Sequence, residues 1–334
     1  MVKKYNLALV GVSNPLGKRV LKVLEKRNFP VNVLRPLVTR HLGERSVTFN
    51  KADYVVDVLS KSSLKGMDIV FFTNEEEASQ ELSSLAVEQG MKVIDNSPQC
   101  CLQEDVPLIV PEVNPEMLGS HKKLVASPHP LVTLLSLVLK PIYNRVGLKR
   151  IVVSYYQPAS EKGEEAEKEL RLQVKDFLGG ERPKEDIRRR FLAFNLIPFG
   201  GNSDQEGNSQ EEAIITQEIK KVIRDPSLII SLTVIQVPLF SGSSASVNIE
   251  TKKEIKASQA KSILSSASGV ELIDRIEELK YPVPLETEGK EDVLVGRVRQ
   301  SEKINNCLDL WIAGDNLYKG SALNMVQIAE MMIA

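Results

Sequence analysis

The chain has 334 residues, 42% hydrophobic and 26% charged, which is typical of a globular protein with enough sequence for two domains. Its 43 basic and 44 acidic side chains give a formal net charge of -1, so composition offers no basis for binding nucleic acid or an anionic membrane. No apolar run approaches the roughly 20 residues that cross a bilayer, and three cysteines make no disulfide framework, so we expect a cytoplasmic protein. His41, His121 and His129 do not suffice for a metal site, and we predict none.

Strands and helices alternate through the first 130 residues. Apolar runs bounded by turn residues predict strands at 5–10, 31–38, 64–73, 91–95 and 123–126. Helical spacing of apolar residues predicts helices at 18–27 and 78–89. This alternation is typical of a doubly wound parallel sheet, the α/β class.

The pattern changes after residue 130. A mostly apolar helix is predicted at 131–142, followed by longer strands at 150–157, 228–240, 244–252, 293–299 and 307–313. Helices are predicted between them at 161–178 and 211–224. The second half is therefore predicted to be α+β with a mixed or antiparallel sheet. The last helix, at 321–333, is expected to pack back onto the first half.

A glycine turn follows the first predicted strand. Gly11 and Gly17 flank Asn14, and such a turn can direct backbone N–H groups and the dipole of the next helix at a phosphate. Asn14 weakens the pattern, because its side chain takes space where a pyrophosphate approaches bare backbone. Two interpretations stay open. The turn either holds a dinucleotide through Gly11, Ser13, Asn14, Leu16 and Gly17, or joins a strand to a helix and binds nothing.

Three consecutive glutamates, Glu75 to Glu77, follow the apolar strand that ends at Thr73. This edge of a doubly wound sheet borders the ligand, and each close carboxylate–pyrophosphate pair costs about 1 kcal/mol or more there. The alternative is a solvated helix start, where the dipole favours acidic residues. We favour the helix start, although the run counts against binding of a dinucleotide.

Longer motifs occur in a specific order along the chain. They are Asp-Asn-Ser at 95–97, Val-Pro-Glu-Val-Asn-Pro at 110–115, Val-Ser-Tyr-Tyr-Gln at 153–157, Gln-Val-Pro-Leu-Phe-Ser-Gly at 236–242, Val-Gly-Arg-Val-Arg at 295–299 and Ala-Leu-Asn-Met-Val-Gln-Ile-Ala-Glu at 322–330. In this order the chain resembles the aspartate-semialdehyde dehydrogenase family over nearly its whole length.

The resemblance implies a fold, a cofactor and an oligomeric state. It implies a Rossmann-like NAD(P)-binding domain at 1–129, completed by the C-terminal helix region 315–334, and an α+β dimerisation and catalytic-type domain at 130–314. It also implies NADP as cofactor and a homodimer. Enzymes of the family use a cysteine nucleophile, a histidine acid and base, and cationic side chains that hold the carboxylate and the phosphate.

Those catalytic positions are replaced in this chain. Pro130 stands where the family has its cysteine, and Ser243 stands where it has its histidine. Gln236 replaces the substrate arginine, Cys101 aligns with the phosphate arginine, and Ile214 aligns with the phosphate lysine. Loss of one member of a covalent catalytic unit can lower kcat about 10⁶-fold. We therefore expect no semialdehyde dehydrogenase activity, as in the Usg-type paralogues that lack the catalytic cysteine.

Other family positions are retained. Gln157, Glu211 and Arg297 match the catalytic or substrate-binding side of the pattern. Arg40 lies where the family places an arginine near the adenosine 2′-phosphate, and Asn324 lies in the matched C-terminal segment as a cofactor-binding candidate.

Three interpretations of the function stay open. The first is a homodimer that keeps the fold for binding or regulation, with an unknown small-molecule ligand. The second is an NADP-dependent oxidoreductase acting on an aldehyde or acyl-phosphate of amino-acid biosynthesis, with Cys101 as a relocated nucleophile or with no covalent step. The third is a nucleotide sensor. Cys101 also has a simpler interpretation, as a small residue that fills the space of the family's arginine.

Overall fold

The structure is a computed structural model that describes residues 3–40, 45–119, 123–180, 191–199, 202–204, 207–302, 304 and 306–334. The chain divides into two compact units, Met1–His129 with Ser321–Ala334, and Pro130–Gly320. None of the helices in these ranges combines the length and apolar character that a bilayer span needs.

The first unit is built on a six-stranded sheet in which every strand pair is parallel. The strand order is β5-β2-β1-β6-β7-β8, so the order reverses beside β1. Ligands of such sheets bind at the carboxyl ends of the strands at this reversal. The strands are β1 (Tyr5–Val10), β2 (Val31–Val38), β5 (Asp57–Val58), β6 (Ile69–Phe72), β7 (Lys92–Asp95) and β8 (Leu124–Ala126).

Three helices of this unit are α1 (Pro15–Lys26), α2 (Glu76–Glu88) and the short α3 (Pro98–Leu102). Helix α1 begins three residues before its predicted start. The side chain of Asn14 accepts a hydrogen bond from the Gly17 N–H as N-cap, and Pro15 fills the first helical position, where its missing N–H costs nothing.

A hairpin of β3 (Ser46–Phe49) and β4 (Ala52–Val55) was not predicted. Its two loop residues, Asn50 and Lys51, both have positive φ, of 49° and 65°. Two such residues in succession make the turn that suits a two-residue hairpin. The usual signal for it, a glycine after the asparagine, is missing here.

The C-terminal helix α8 (Asn324–Ile333) belongs to the first unit, and a π-helical segment, Tyr318–Leu323, precedes it. Arg27 donates two hydrogen bonds of 2.7 Å to the carboxylate of Glu330 on this helix. The Asn324 amide donates to the Ile109 carbonyl at 3.0 Å and to the Ser127 hydroxyl at 2.8 Å. Residues 315–320, which we expected to accompany this helix, fall in the second unit.

The second unit contains a mixed six-stranded sheet in the order β10-β9-β11-β14-β13-β12. Its central pairs are antiparallel, and its two outer pairs are parallel. The strands are β9 (Leu148–Gln157), β10 (Ile229–Gln236), β11 (Ser243–Thr251), β12 (Val270–Leu272), β13 (Val293–Gln300) and β14 (Cys307–Gly314). The predicted strand at 228–240 ends early, and Pro238, which has no N–H for a ladder, lies just beyond its end.

Four helices accompany this sheet, namely α4 (Pro130–Val146), α5 (Glu164–Leu178), α6 (Gln210–Ile223) and α7 (Ala257–Ser265). Helix α4 is apolar and largely buried, and it contacts the sheet, α6 and α7. Helix α7 was not predicted. The predicted fold class, a Rossmann-like parallel sheet plus an α+β unit, is confirmed.

Asn324 links α8 to two other segments of the first unit and is fully buried. We expect Asn324→Ala to lower the free energy of unfolding by about 1–3 kcal/mol, because two buried acceptors lose their donor. Urea unfolding followed by circular dichroism measures this loss. The matched control is Asn32→Ala at an exposed position, which should change stability by no more than about 0.5 kcal/mol. Equal midpoints for the two variants would contradict the assignment.

Candidate functional site

The glycine turn after β1 is packed so closely that only glycine fits at two positions. Gly11 has a φ of +85°, and a Cβ there would lie 2.4 Å from the Thr73 carbonyl oxygen. A Cβ on Gly17 would lie 2.2 Å from the carbonyl oxygen of Gly11. The turn therefore keeps the compact shape in which backbone can approach a phosphate.

Asn14 occupies the middle of this turn and uses both ends of its amide within the protein. Its oxygen accepts from the Gly17 N–H at 2.8 Å, and its nitrogen donates to the Thr73 carbonyl at 2.6 Å. The Gly17 N–H is thus already paired. Ser13 and Leu16 lie on either side, in the turn and in the first turn of α1.

The acidic run divides between two environments. Glu76 and Glu77 are exposed in the first turn of α2, as the helix-start interpretation predicts. Glu75 is half-buried and accepts a hydrogen bond of 3.0 Å from the Thr39 hydroxyl, just after β2. Burial raises the pKa of the Glu75 carboxyl, although the Thr39 hydrogen bond and the positive charge of Arg40 act to lower it.

Asn324 leaves one polar atom unpaired in the first unit. Its Oδ1 is buried and has no hydrogen-bond partner among the residues that the structure describes. A buried acceptor without a donor from the protein is unusual, and an N–H or O–H group of a ligand or of water would satisfy it.

The first unit has features for and against a bound dinucleotide. The glycine turn and the unpaired Asn324 acceptor both suit such a ligand. The carboxylate of Glu75 does not suit a 2′-phosphate, because it lies against the residues that follow β2, the strand whose end reads the adenosine ribose in these folds. Arg40, whose positive charge acts on the same carboxylate, suits a 2′-phosphate, so the residues present fit a dinucleotide.

Cys101 lies in a fully buried environment in the same unit. Its thiol donates to the Ser127 carbonyl at 3.3 Å, and Cys100 and Cys307 are buried as well. Reactive thiols need exposure and a group that lowers their pKa. The position of Cys101 favours the space-filling interpretation. Within the described ranges, no His, Cys, Asp and Glu side chains cluster as metal ligands would.

Pro130 is the first residue of α4 in the second unit. A Cβ added to Gly320 would lie 3.0 Å from the Cβ of Pro130, so the proline ring is packed against the backbone there. The position at the start of a helix is well suited to proline. It offers no thiol and no N–H at the place where the resemblance puts the attacking cysteine.

Ser243, the first residue of β11, lies in a buried hydrogen-bonded cluster. Its hydroxyl donates to Oε1 of Glu161 at 2.5 Å, and the Tyr155 hydroxyl lies 2.8 Å from it. Tyr155 also bonds Oε1 of Glu161. Burial, and the neighbouring Glu161 carboxylate, raise the pKa of the Tyr155 phenol well above its ordinary value.

Gln157, at the end of β9, joins this cluster to a second carboxylate. Its Nε2 donates to Oε2 of Glu161 at 3.1 Å and to Oε1 of Glu211 at 2.7 Å. Lys162 pairs with the other oxygen of Glu211 at 2.7 Å. Two predicted positions, Gln157 and Glu211, are thereby in direct contact, and Ser243 reaches them through Glu161.

Gln236 lies directly across from Gln157 in the pairing of β10 with β9. Both side chains line a cavity of about 110 Å³. The Gln157 Oε1 is buried, and nothing in the described part of the chain donates to it. Ile214 is half-buried on α6.

Arg297 lies apart from this cluster. It is exposed, has a φ of +57°, and its N–H donates to Asp274 at 2.8 Å. Its side chain lines a different groove, of about 560 Å³, together with Tyr281 and Trp311. The structure does not bring this predicted residue to Gln157 and Glu211.

Glu161 and Tyr155 complete the cluster, and neither was predicted from the sequence. Residues 161–178 were predicted as one helix, but α5 begins at Glu164 and Ala159–Lys162 forms a separate 3-10 turn. A separating signal was present, because Gly163 follows Lys162 and has a φ of +96°. Nothing local indicates that the Glu161 side chain contacts Ser243, a residue 82 positions away.

The raised pKa of Tyr155 has a measurable consequence. The neutral phenol stabilises the fold fully below about pH 10, and we expect this contribution to be lost as the pH rises further. An absorbance titration should show no difference between wild type and Tyr155→Phe in the native state, and one fewer ionising tyrosine in the variant after unfolding. A difference between the two native proteins near pH 10 would contradict the buried, hydrogen-bonded assignment.

Comparison with known proteins identifies both units. Residues 6–121 match the family described as semialdehyde dehydrogenase, NAD binding domain, and residues 139–319 match semialdehyde dehydrogenase, dimerisation domain. Aspartate-semialdehyde dehydrogenase of Aquifex aeolicus is 38% identical over 98% of each chain. The enzyme of Prochlorococcus marinus is 37% identical over 98% of this chain and 95% of its own.

Solved structures agree with these family and sequence matches. The crystal structure of aspartate semialdehyde dehydrogenase II from Vibrio cholerae is 33% identical, with a TM-score of 0.93 over 99% of both chains. A Candida albicans aspartate semialdehyde dehydrogenase with NADP is 17% identical, with a TM-score of 0.75 over 99% of this chain and 98% of its own, and shares the fold. These matches confirm the resemblance, and the chain belongs to the aspartate-semialdehyde dehydrogenase family.

Proposed function

We propose that this chain is a homodimeric, dinucleotide-binding member of the family that does not carry out the covalent dehydrogenation of aspartate semialdehyde, in the manner of the Usg-type paralogues. The observation that carries the proposal is Pro130 at the start of α4, where the resemblance places the nucleophile. Without a thiol there, no thioester can form and no acyl group can pass to phosphate.

The surroundings of the missing nucleophile support the same conclusion. Ser243, at the histidine position, is hydrogen-bonded to Glu161 and Tyr155, and a serine hydroxyl is a poor acid and base near neutral pH. Gln236 and Ile214 are uncharged at positions where the family holds anions with cations. The cluster instead carries the carboxylates Glu161 and Glu211.

The binding side of the proposal rests on the first unit. Its match to an NAD-binding domain, its glycine turn and the unpaired Asn324 acceptor support a bound dinucleotide. The match of residues 139–319 to a dimerisation domain supports the homodimer.

A second candidate function is an oxidoreductase that works on the same scaffold without a covalent step. A bound nicotinamide supplies hydride transfer. The observation in favour is that Gln157 and Glu211, both retained from the family pattern, are in hydrogen-bond contact. The substrate of this oxidoreductase would be an aldehyde or acyl-phosphate of amino-acid biosynthesis.

An activity assay separates the two candidates. With aspartate semialdehyde, phosphate and NADP or NAD, we expect no turnover above background, measured as formation of the reduced cofactor. Pro130→Cys alone should not restore turnover, because the base and the anion-binding side chains remain absent. Turnover in the wild type would favour the second candidate, and its loss in Cys101→Ser would make Cys101 the nucleophile and overturn the proposal.

Nucleotide binding can be measured without activity. We expect NAD at 100 times its Kd to stabilise the protein by about 2.7 kcal/mol, and NADP to bind more weakly than NAD. Glu75→Gln should raise the affinity for NADP about tenfold more than the affinity for NAD, because a carboxylate that repels the 2′-phosphate is removed.

The matched control is Glu77→Gln, an exposed glutamate two residues further along, which should leave the ratio of the two affinities unchanged. Both affinities are obtained by isothermal titration and by thermal stability. No stabilisation by either nucleotide at millimolar concentration would reject the dinucleotide-binding part of the proposal.

A further inference from the structure

Strand β10 forms one edge of the mixed sheet in the second unit, with β9 as its neighbour in the sheet. Along such an edge strand, successive residues direct their backbone N–H and C=O groups alternately toward the neighbouring strand and away from it. The N–H of Val237, just beyond β10, donates to the Gln157 carbonyl of β9 at 3.0 Å. The odd-numbered residues of β10 therefore face β9, and the even-numbered residues direct their backbone groups outward from the sheet.

The end of this outward edge is occupied, and its start is open. The Val234 N–H donates to Oε1 of Glu212 at 2.8 Å, and the Gln236 N–H donates to a carbonyl of the neighbouring loop at 2.9 Å. The N–H groups of Ile230 and Leu232 have no acceptor among the described residues. A short row of backbone groups is thus left for another strand to pair with.

The side chains of this edge give no protection against such pairing. Natural edge strands carry charges, prolines or bulges that prevent it. Strand β10 contains no proline, pairs with β9 without a bulge, and lies within residues 226–249, which include no charged side chain. Ile229 is 55% exposed, and Ser231 and Thr233 are exposed on the same face. An uncharged edge rich in β-branched residues is suited to pairing with a strand of the same composition.

A second copy of β10 satisfies this edge by symmetry. In an antiparallel pair centred on Ser231, Ile230 of each copy lies opposite Leu232 of the other, and the two residues exchange both of their hydrogen bonds. The two-fold axis repeats the exchange on the other side of Ser231. The pairing leaves no charge buried, because neither strand carries one. A charged peptide on this edge would find no partner for its charges.

We propose that two copies of this chain pair antiparallel through the open edge of β10, with Ser231 at the two-fold axis, so that their two mixed sheets become continuous. This inference rests on the homodimer of the proposed function and names the surface through which the copies meet. It does not depend on nucleotide binding by the first unit.

Disulfide formation tests the register of the pair. The two Ser231 residues face each other between hydrogen-bonded pairs, where Cα atoms lie about 4.5 Å apart and a disulfide can form. We expect Ser231→Cys to give a covalent dimer with oxidised glutathione, seen in non-reducing electrophoresis and lost on reduction. The three native cysteines are buried and do not interfere.

The matched control is Thr233→Cys, on the same exposed face of the strand two residues further along. In the proposed register its two copies lie about 14 Å apart, which is beyond the reach of a disulfide. Thr233→Cys combined with Ile229→Cys should restore the covalent dimer, because these two positions lie opposite each other. Equal cross-linking by Ser231→Cys and Thr233→Cys, or no cross-linking by Ser231→Cys in a protein that is dimeric, would overturn the proposal.

A charge placed at the axis gives a second measurement. Ser231→Lys should raise the dissociation constant of the dimer about tenfold or more, because two ammonium groups meet there. Ser265→Lys, at an exposed serine of α7, should leave it unchanged. Sedimentation velocity measures both constants, and circular dichroism checks that both variants are folded.

The two measurements separate this surface from the homodimer itself. A wild type that stays monomeric at micromolar concentration would reject the homodimer and this surface with it. A dimer whose dissociation constant is the same in Ser231→Lys and Ser265→Lys would reject the β10 edge alone and leave the homodimer of the proposed function in place.

Discussion

Buried hydroxyl and amide groups at the end of β9 and the start of β11 need a hydrogen-bond acceptor, and the carboxylate of Glu161 is that acceptor. Tyr155 and Ser243 are buried among apolar strands, where an unpaired hydroxyl would cost about 1–3 kcal/mol. Glu161 satisfies both and also accepts from Gln157, which in turn donates to Glu211. The arrangement of the whole polar cluster in the second unit depends on this one carboxylate.

The same carboxylate satisfies Ser243, which stands where the resemblance places the family's histidine. A buried hydroxyl at the start of β11 needs a hydrogen-bond partner. Glu161 accepts the hydrogen bonds of both Ser243 and Tyr155. Pro130 stabilises the start of α4, where its missing N–H costs nothing.

The first unit keeps more of what a cofactor requires. Its glycine turn is constrained by contacts at Gly11 and Gly17 that no larger residue could make. Asn14 stabilises the turn from within. Its side-chain oxygen accepts the hydrogen bond of the Gly17 N–H, so this N–H is not available to a phosphate. Glu75 places a carboxylate beside Thr39, just after β2, where the positive charge of Arg40 acts on it.

The sequence by itself determined the fold class, because strand and helix periodicities are local and survive in any window of ten residues. It also determined the family, and it predicted that Pro130, Ser243 and Gln236 replace family residues, since that prediction depends only on residue identity. Only the tertiary structure decided what surrounds them. The contact of Glu161 with Ser243 joins residues 82 positions apart, and that of Glu75 with Thr39 joins residues 36 apart. Such contacts depend on strand register and on where a turn ends, and no local pattern carries that information.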